Sequence, residues 1–304
     1  MIYTVTFNPS LDYNMYLPTL RVGEVNRSER EVCFCGGKGI NVSLVLREMG
    51  VESTALGFIA GFTGEELERR LKQAGVGTEL IRVPNGLTRI NVKLRGAGET
   101  DINGAGPEID VKCLDELTER LDKLLRPGDA LVLSGSVPAS LPNDTYMRIL
   151  RRLRGKDITT VVDASGELLS STLEYSPFLI KPNSDELGEL FGAAADTPEK
   201  CAEYARRLQQ TGARNILVSM GAAGSVLLTE TGELLRAPGL QGKTVNTVGA
   251  GDSMVAGFLC GYLSSSEPSY ALRLGTAAGA ATAFSEGLGS REQIEQLLDS
   301  VRVF

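Results

Sequence analysis

Short apolar, β-rich runs alternate with stretches of helical periodicity along almost the whole chain. The strand-like runs lie at 1–7, 129–133, 158–162, 178–180 and 216–218. Between them, apolar residues recur at the i, i+3, i+4, i+7 spacing of one helix face, as at Val42, Val45, Leu46 and Met49. Strands linked by helices form parallel sheets that are buried on both faces. This order predicts one α/β domain over 1–304, with a mostly parallel sheet between two layers of helices.

Two segments have the spacing of a capping box, in which a hydroxyl and an acidic or amide side chain satisfy the first free N–H groups of a helix. They are Thr63 with Glu66, and Ser290 with Gln293. Leucine and isoleucine positions with helical spacing follow both pairs. The sequence therefore predicts helices that begin at these two hydroxyl residues.

Two stretches do not follow the alternation. Residues 13–32 are polar and irregular. Residues 88–95 alternate strictly: one face has Ile90, Val92 and Leu94, and the other has Arg89, Asn91, Lys93 and Arg95. Together they predict a small β lid, formed by about 13–32 and 88–107, that covers a ligand with its polar face. The alternative is an edge strand that basic side chains protect from aggregation. Because the apolar face of a lid needs a partner, we expect a homodimer that forms through it.

Composition excludes several kinds of chemistry. Histidine is absent, which rules out Ser-His-Asp and Cys-His mechanisms and histidine-ligated metals. The five cysteines include no C-x-x-C pair, so we expect reduced thiols rather than a zinc site. With 38 acidic and 31 basic residues, the net charge of −7 argues against nucleic acid or an anionic membrane as a partner. No apolar run reaches about 18 residues, and the N-terminus has no signal-peptide pattern, so we expect a cytoplasmic protein.

The strongest candidate for a reactive site is the turn Asn246-Thr-Val-Gly-Ala-Gly-Asp-Ser253, which precedes a helix-like stretch. Gly249, Ala250 and Gly251 are small enough to let an anion approach the N–H groups of a helix N-terminus. Asp252 then either caps the helix or takes a proton from a hydroxyl that attacks a bound phosphate. The turn is neither a dinucleotide fingerprint nor a P-loop.

Two further turns bring polar side chains to the start of a helix and the end of a strand. Gly36-Gly-Lys-Gly-Ile-Asn41 opens the helix at 42–49, and Lys38 and Asn41 offer a mobile cation and an amide there. Asn8-Pro-Ser-Leu-Asp12 follows the first strand, where α/β folds bind ligands, so Asp12 could accept hydrogen bonds from sugar hydroxyls. A plain glycine turn and a turn-capping aspartate are the alternatives.

In their order along the chain, these turns resemble the motifs of the ribokinase-like (PfkB-type) family of sugar kinases. The matching segments are Gly36–Asn41, Lys181-Pro-Asn-Ser-Asp-Glu186 and Val248-Gly-Ala-Gly-Asp252. Four more segments are similar to the branch that acts on ketohexose phosphates: Asn8–Asp12, Gly23–Arg27, Thr88–Lys93 and Glu99–Pro107. The resemblance covers essentially the whole chain, and it implies a three-layer α/β/α sandwich with a small β lid. Cys35 departs from the family, whose members often have proline or alanine before the glycines.

The resemblance also implies a role for each matching residue. Asp252 would be the catalytic base, and the anion hole for the transferred phosphate would be Gly249, Ala250 and Gly251. The sugar would contact Asp12, Gly37, Asn41 and Ser136. The substrate's own phosphate would be held by Lys38, Arg89 and Arg27. ATP would contact Lys181, Asn183, Ser219, Gly221, Gly224 and Gly251. Mg²⁺ would be held, through water, by Asn183 and Glu186.

These roles imply ATP-dependent transfer of phosphate to the 6-hydroxyl of fructose 1-phosphate, which gives fructose 1,6-bisphosphate. Phosphorylation of tagatose 6-phosphate is the nearest alternative, because it needs the same base and a similar phosphate site. Phosphorylation of fructose 6-phosphate is the next. A sugar-phosphate sensor without catalysis belongs to another class, and such a protein would be free to lose the aspartate base. The intact Asp252 and its glycine turn favour the kinase.

Overall fold

The computed structural model describes residues 1–96 and 98–304. The strands of these residues are β1 (Ile2–Thr6), β2 (Ser10–Leu17), β3 (Arg30–Gly36), β4 (Ser53–Ile59), β5 (Gly77–Arg82), β6 (Arg89–Gly96), β7 (Thr100–Asn103), β8 (Ala130–Ser134), β9 (Thr159–Asp163), β10 (Leu179–Ile180), β11 (Asn215–Ser219), β12 (Ser225–Leu228) and β13 (Leu234–Ala237). The α-helices are α1 (Lys38–Glu48), α2 (Gly61–Gln73), α3 (Val111–Leu124), α4 (Thr145–Arg152), α5 (Gly166–Ser170), α6 (Ser184–Phe191), α7 (Pro198–Gln210), α8 (Ala250–Ser265), α9 (Pro268–Ala283) and α10 (Arg291–Leu298). None of these helices is long and apolar enough to cross a membrane.

Within the described residues, nine strands build one large sheet in the order β13-β12-β11-β10-β9-β8-β1-β4-β5. Neighbours from β5 to β11 pair in parallel, and β12 and β13 add an antiparallel hairpin at one edge. All five residues of the central strand β1 are buried, as expected for a strand with helices on both faces. The predicted, mostly parallel sheet is therefore confirmed.

Apolar side chains cover both faces of this sheet. One cluster joins the sheet to α1, α8, α9 and α10, a second joins it to α3, α4 and α7, and a third, smaller one packs α2 against β4. The second cluster contains an aromatic group in which the ring of Phe7 lies 5.5 Å from that of Phe58 and 5.7 Å from that of Tyr146. The two helical layers of the expected three-layer sandwich are thus present.

A second, small sheet has the order β3-β2-β6-β7, with β2 and β6 parallel and the other pairs antiparallel. The expectation that 13–32 is irregular was wrong, because most of β2 and the start of β3 lie within it. This segment is polar for another reason. Alternate residues of β2, among them Asp12 and Asn14, are polar but face the inside of the protein, where they are largely shielded from solvent. Residue 97, inside the predicted lid range 88–107, lies outside the described residues.

The two capping-box predictions had different outcomes. Ser290 caps α10 as expected, with reciprocal hydrogen bonds to Gln293. The prediction at Thr63 was wrong: α2 begins two residues earlier, at Gly61, without a side-chain cap. The Thr63 hydroxyl instead donates to the carbonyl oxygen of Thr88 at 2.7 Å, which joins α2 to the chain just before β6.

Candidate active site

A cavity of about 1020 Å³ lies between the small sheet and the carboxyl ends of parallel strands in the large one. Residues that follow β10 and β11 line one side of it, and inward-facing residues of β2 and β6 line the other. The segment that leads into α8 closes the remaining side. The carboxyl ends of parallel strands are where α/β folds place their ligands, so this cavity is the candidate active site.

Asp252 lies at the start of α8 and is buried against the cavity. Gly249 precedes the helix with a φ of +83°, a conformation that favours glycine, so the turn can present its N–H groups to the cavity. The side-chain amide of Asn41 donates a hydrogen bond to Oδ2 of Asp252 at 2.8 Å. Burial, with a further contribution from the charge of Asp163, raises the pKa of Asp252 to about 6. Asp252 is therefore ionised at neutral pH and more basic than an ordinary aspartate.

Asp163, at the carboxyl end of β9, holds two lysines in the wall of this cavity. Its Oδ1 lies 3.2 Å from Nζ of Lys181 and 3.4 Å from Nζ of Lys38. Burial alone would raise the pKa of Asp163, but the two ammonium groups outweigh it and hold the pKa below its usual range. Sequence reasoning did not single out Asp163. The signal that marked Asp12, a carboxylate at the end of a predicted strand, was present here too.

The small sheet presents a covered polar surface to the cavity. Oδ1 of Asp12 accepts hydrogen bonds from the Ser10 hydroxyl at 2.7 Å and from the Asn91 amide at 2.8 Å. Nζ of Lys93 lies 3.3 Å from Oδ2 of the same carboxylate. The alternation at 88–95 predicted this polar face, although Ser10, Asn91 and Lys93 were not among the expected site residues.

Most of the predicted site residues meet in the cavity. Those that line it are Asp12, Gly37, Lys38, Asn41, Arg89, Lys181, Asn183, Glu186, Ser219, Gly221, Gly224, Gly249, Ala250, Gly251 and Asp252. Arg27 and Ser136 are exposed and do not line it. Arg27 lies in the loop between β2 and β3, at the end of the hairpin that is far from the cavity, and Ser136 lies in the turn after β8.

Lys38 and Arg89, which were expected to bind the same phosphate, have different carboxylate neighbours. Lys38 is next to Asp163, whereas the carboxylate that acts on the pKa of Arg89 is Asp12. Nε of Arg89 donates to the carbonyl oxygen of Asn8 at 3.0 Å. Lys38 is therefore on the side of the cavity that has Asp163 and Asp252, and Arg89 is on the side that has Asp12.

The predicted metal ligands form the N-terminus of α6. The Asn183 side chain accepts from the Glu186 N–H at 2.7 Å, and Oε2 of Glu186 accepts from the Asn183 N–H at 2.9 Å. In the described residues, no group of three or more acidic or cysteine side chains could hold a metal by itself. Glu186 lines the cavity and lies close enough to Lys38 to influence its pKa. This donor set fits Mg²⁺ that keeps most of its water and is shared with phosphate oxygens, which is how Mg²⁺ usually binds.

Two glycine-rich segments form the wall beyond α6. One is Ser219–Gly224, as predicted, and the other is Gly239–Gly242, which sequence reasoning missed. The segments lie against each other so closely that a Cβ on Gly224 would be 2.5 Å from the Gly239 nitrogen. Between the glycines, Met220, Ala222 and Leu240 also line the cavity, so much of this wall is apolar, as is usual in small-molecule sites.

Comparison with known proteins places the chain among sugar kinases. The family model described as pfkB family carbohydrate kinase matches residues 5–294. The chain is 46% identical to 1-phosphofructokinase of Bacillus subtilis, over 100% of this chain and 99% of the relative. It is 34% identical to D-tagatose-1-phosphate kinase of Bacillus licheniformis, over the same shares of the two chains.

Solved structures agree with the fold. Phosphofructokinase-2 from Escherichia coli, solved in complex with substrates and products, has a TM-score of 0.92 and 27% identity, with 98% of each chain covered. Ribokinase of Arabidopsis thaliana, complexed with ribose and ATP, has a TM-score of 0.76 and covers 98% of each chain. At 19% identity this second likeness concerns the fold alone, and it confirms the ribokinase-like architecture.

We predict that the carboxyl group of Asp252 titrates close to pH 6, because burial and the charge of Asp163 disfavour its ionised form. The measurement is ¹³C NMR of protein labelled at the aspartate carboxyls. Asp129 is the matched control: burial acts on it too, but the N-terminal ammonium, 2.9 Å away, holds its pKa below the usual value. A midpoint for Asp252 near the ordinary value of about 3.9 would contradict the prediction.

Proposed function

The chain belongs to the pfkB family of carbohydrate kinases, and we propose that within this family it transfers phosphate from ATP to the 6-hydroxyl of fructose 1-phosphate. The observation that carries the proposal is the buried Asp252 at the first turn of α8, beside a glycine turn and opposite a covered polar lid. The full-length similarity to a 1-phosphofructokinase supports fructose 1-phosphate as the substrate. The product would be fructose 1,6-bisphosphate.

In this proposal Asp252 is the general base. It accepts the proton of the 6-hydroxyl as that oxygen bonds to the terminal phosphorus of ATP and the bond to the leaving ADP oxygen breaks. The N–H groups of Gly249, Ala250 and Gly251 bind the phosphate oxygens that gain charge, as helix N-termini do. Lys38 and Lys181 neutralise the same oxygens. Phosphoryl transfer depends mainly on such positioning and charge stabilisation, which this arrangement supplies.

The lid would select and hold the sugar phosphate. Asp12, fixed by its three polar neighbours, accepts hydrogen bonds from sugar hydroxyls, together with Asn41 and the backbone of Gly37. Arg89 binds the phosphate that the substrate already has, because it is a cation on strand β6 of the lid, with Asp12 as its carboxylate neighbour. This arrangement explains how a protein with a net charge of −7 takes an anionic substrate.

The opposite side of the cavity would hold MgATP. The two glycine-rich segments, 219–224 and 239–242, would accommodate the nucleoside, and Lys181 would contact its phosphates. Asn183 and Glu186 would hold Mg²⁺ through water. When bound, the ion would neutralise charge on the phosphate oxygens.

Tagatose 1-phosphate is the second candidate substrate. The relatives reported above include a D-tagatose-1-phosphate kinase, so the likeness favours a phosphate at C1 rather than at C6 of tagatose. Tagatose is the C4 epimer of fructose, and the base, the anion hole and the C1 phosphate site would serve both sugars. Coupled-assay turnover of fructose 1-phosphate, fructose 6-phosphate, tagatose 1-phosphate and tagatose 6-phosphate tests the proposal. Faster turnover of any of the other three than of fructose 1-phosphate would refute it.

Asp252→Asn should lower kcat by about 10²–10⁴-fold, the usual contribution of a general base. Binding of a non-hydrolysable ATP analogue should change little, because the backbone of the turn is retained. Steady-state kinetics and calorimetry measure the two effects. Turnover within about threefold of wild type would remove Asp252 from the proton transfer.

Arg89→Ala should weaken the use of fructose 1-phosphate by about 10–150-fold in kcat/KM, since a charge-assisted hydrogen bond contributes roughly 1.5–3 kcal/mol. Unphosphorylated fructose lacks the partner group, so its much lower turnover should change far less. Equal losses for the two substrates would show that the phosphate is held elsewhere. Arg95→Ala, on the same strand but outside the cavity lining, is the matched control.

The outer face of the lid supports the proposed homodimer. Ile90 and Ile102, on the adjacent strands β6 and β7, are 41% and 57% exposed. The loop between β2 and β3 exposes three more apolar side chains, Leu20, Val22 and Val25. A second copy of the chain that packs lid against lid would cover this surface. Arg27 lies on the same loop, so its expected contact with substrate would be made across such an interface.

Ile90→Lys should convert the dimer to a monomer, because it places a charge in the apolar interface. Light scattering at micromolar concentrations measures the mass. Val111→Lys changes another exposed apolar residue, 54% exposed at the start of α3 and outside the lid, and should leave the dimer intact. A wild-type protein that is monomeric and fully active would contradict the dimer.

A further inference from the structure

Asp163 is a completely buried carboxylate that the roles described so far leave without a function. We propose that it is a positioning residue for phosphoryl transfer, which keeps Lys38 and Lys181 beside the turn Gly249–Gly251 (the anion loop), where the N–H donors that it does not use can bind phosphate oxygens. The inference rests on the proposed kinase function and adds to it a residue that does not touch the substrate.

Asp163 pairs with both lysines in the wall of the cavity that contains the anion loop. Lys181 is 4% exposed, and its Nζ lies 3.0 Å from the point where a Cβ on Gly251 would be. Lys38 approaches from α1, over the turn at Gly135. Two ammonium groups so close to one carboxylate oxygen would otherwise repel each other, and a buried cation without a counter-charge is unstable.

The backbone fixes Asp163 firmly enough for this role. It ends β9, where its carbonyl oxygen accepts from the Gly135 N–H at 3.0 Å. The Lys181 N–H donates to the carbonyl oxygen of Val162 at 3.2 Å, so the anchor and one of its lysines are joined through adjacent strands. A carboxylate held in this way can orient two flexible side chains at low entropic cost.

Helix α1 connects Asp163 to the base. Lys38 and Asn41 are three residues apart and lie on one face of the helix. Lys38 pairs with Asp163, and Asn41 donates to Asp252. The two carboxylates are therefore linked through a single turn of helix, and a change at one alters the surroundings of the other.

Charge balance gives the arrangement its function. The two lysines and the two carboxylates have equal and opposite formal charges, so this group of four balances its own charge, and the lysines are already in place. When a phosphate group enters the anion loop, its oxygens accept the ammonium protons that Asp163 does not use, because each ammonium group has three N–H donors. Each lysine then binds Asp163 and a phosphate oxygen at once, and no charged side chain has to be desolvated at that moment.

The protonation of Asp252 provides a readout that a merely structural role would not change. Burial and Asp163 raise the pKa of Asp252, and Lys38, Asn41 and Lys181 lower it. Asp163→Asn removes a negative neighbour, while Lys38 and Lys181 stay in the wall of the cavity although they are less firmly held, so the pKa of Asp252 should fall. The base then stays ionised to lower pH, and the acidic limb of kcat/KM should move down by about one pH unit.

The experiment compares Asp163→Asn and Asp163→Glu with wild type. For the asparagine variant we expect kcat to fall by about 10–100-fold, because the lysines lose their anchor. A non-hydrolysable ATP analogue should bind at least as tightly as to wild type, since a negative charge has been removed. Asp163→Glu restores the charge and should return the acidic limb toward its wild-type position. The ionisation of the sugar substrate is the same in every assay. Any difference in the acidic limb of kcat/KM between wild type and a variant therefore comes from the protein.

Asp129→Asn is the matched control. It removes another buried, ion-paired carboxylate, at the opposite end of β8, and should leave the acidic limb unchanged. Lys181→Met should shift the pH profile in the opposite direction. It removes a cation that lowers the pKa of Asp252, so the acidic limb of kcat/KM should move to higher pH. This variant and Asp163→Glu decide the matter if Asp163→Asn does not fold.

An acidic limb that stays in place in Asp163→Asn, or a loss of ATP-analogue binding in proportion to kcat, would reduce Asp163 to structural support and overturn the proposal. The NMR midpoint of Asp252 and the calorimetry need no turnover. If wild type phosphorylates no ketohexose phosphate, the proposed function fails, and these two measurements still decide the role of Asp163.

Discussion

Asp163 and Asp252 are two buried carboxylates at one edge of the sheet, and both can be charged only because the fold brings compensating groups to each of them. The site depends on this arrangement. Each buried charge costs several kcal/mol in desolvation unless it is paired. Asp163 ends β9 and Lys181 follows the adjacent β10, so the parallel register itself places one cation beside one carboxylate. Helix α1 adds Lys38 to the same carboxylate and Asn41 to Asp252. The strand order and the start of α1 thus create the electrostatics of the site before any ligand binds.

A surface sheet usually has an apolar inner face and a polar outer face, and the lid has the opposite arrangement. Its inner face is polar and covered, with Asp12, Asn91 and Lys93 in contact, while Ile90 and Ile102 on its outer face are exposed. Polar groups can be covered there because they satisfy one another and line a cavity that takes a polar ligand. An exposed apolar face has no such compensation in water. The same alternation that would bind the sugar on one side in the proposed function would therefore favour association on the other.

The sequence predicted the architecture well where burial controls the pattern. Central strands such as β1 are covered on both faces, so their apolar runs are unambiguous. The pattern failed where a ligand cavity takes the place of a hydrophobic core: β2 has polar residues on its inner face, and so 13–32 was predicted to be irregular. Local motifs were ambiguous for a related reason, since the Thr63 hydroxyl bonds to Thr88, a residue distant in sequence. Asp163 was missed because its importance lies in partners from α1 and from the segment after β10, which no local window contains.

In the proposed mechanism, the anion loop cannot distinguish fructose 1-phosphate from its C4 epimer. There the base, the glycine turn and the two lysines would all act at the 6-hydroxyl and the transferred phosphate, which are the same chemical groups in the two sugars. Only groups that touch the ring can distinguish the epimers, and on the lid these are Asp12 and its neighbours on β2 and β6. A site that satisfies a ring hydroxyl with a buried polar group rejects the isomer that leaves this group unpaired. Within the proposed mechanism, chemistry and specificity therefore reside on opposite sides of one cavity, in the large sheet and in the small one.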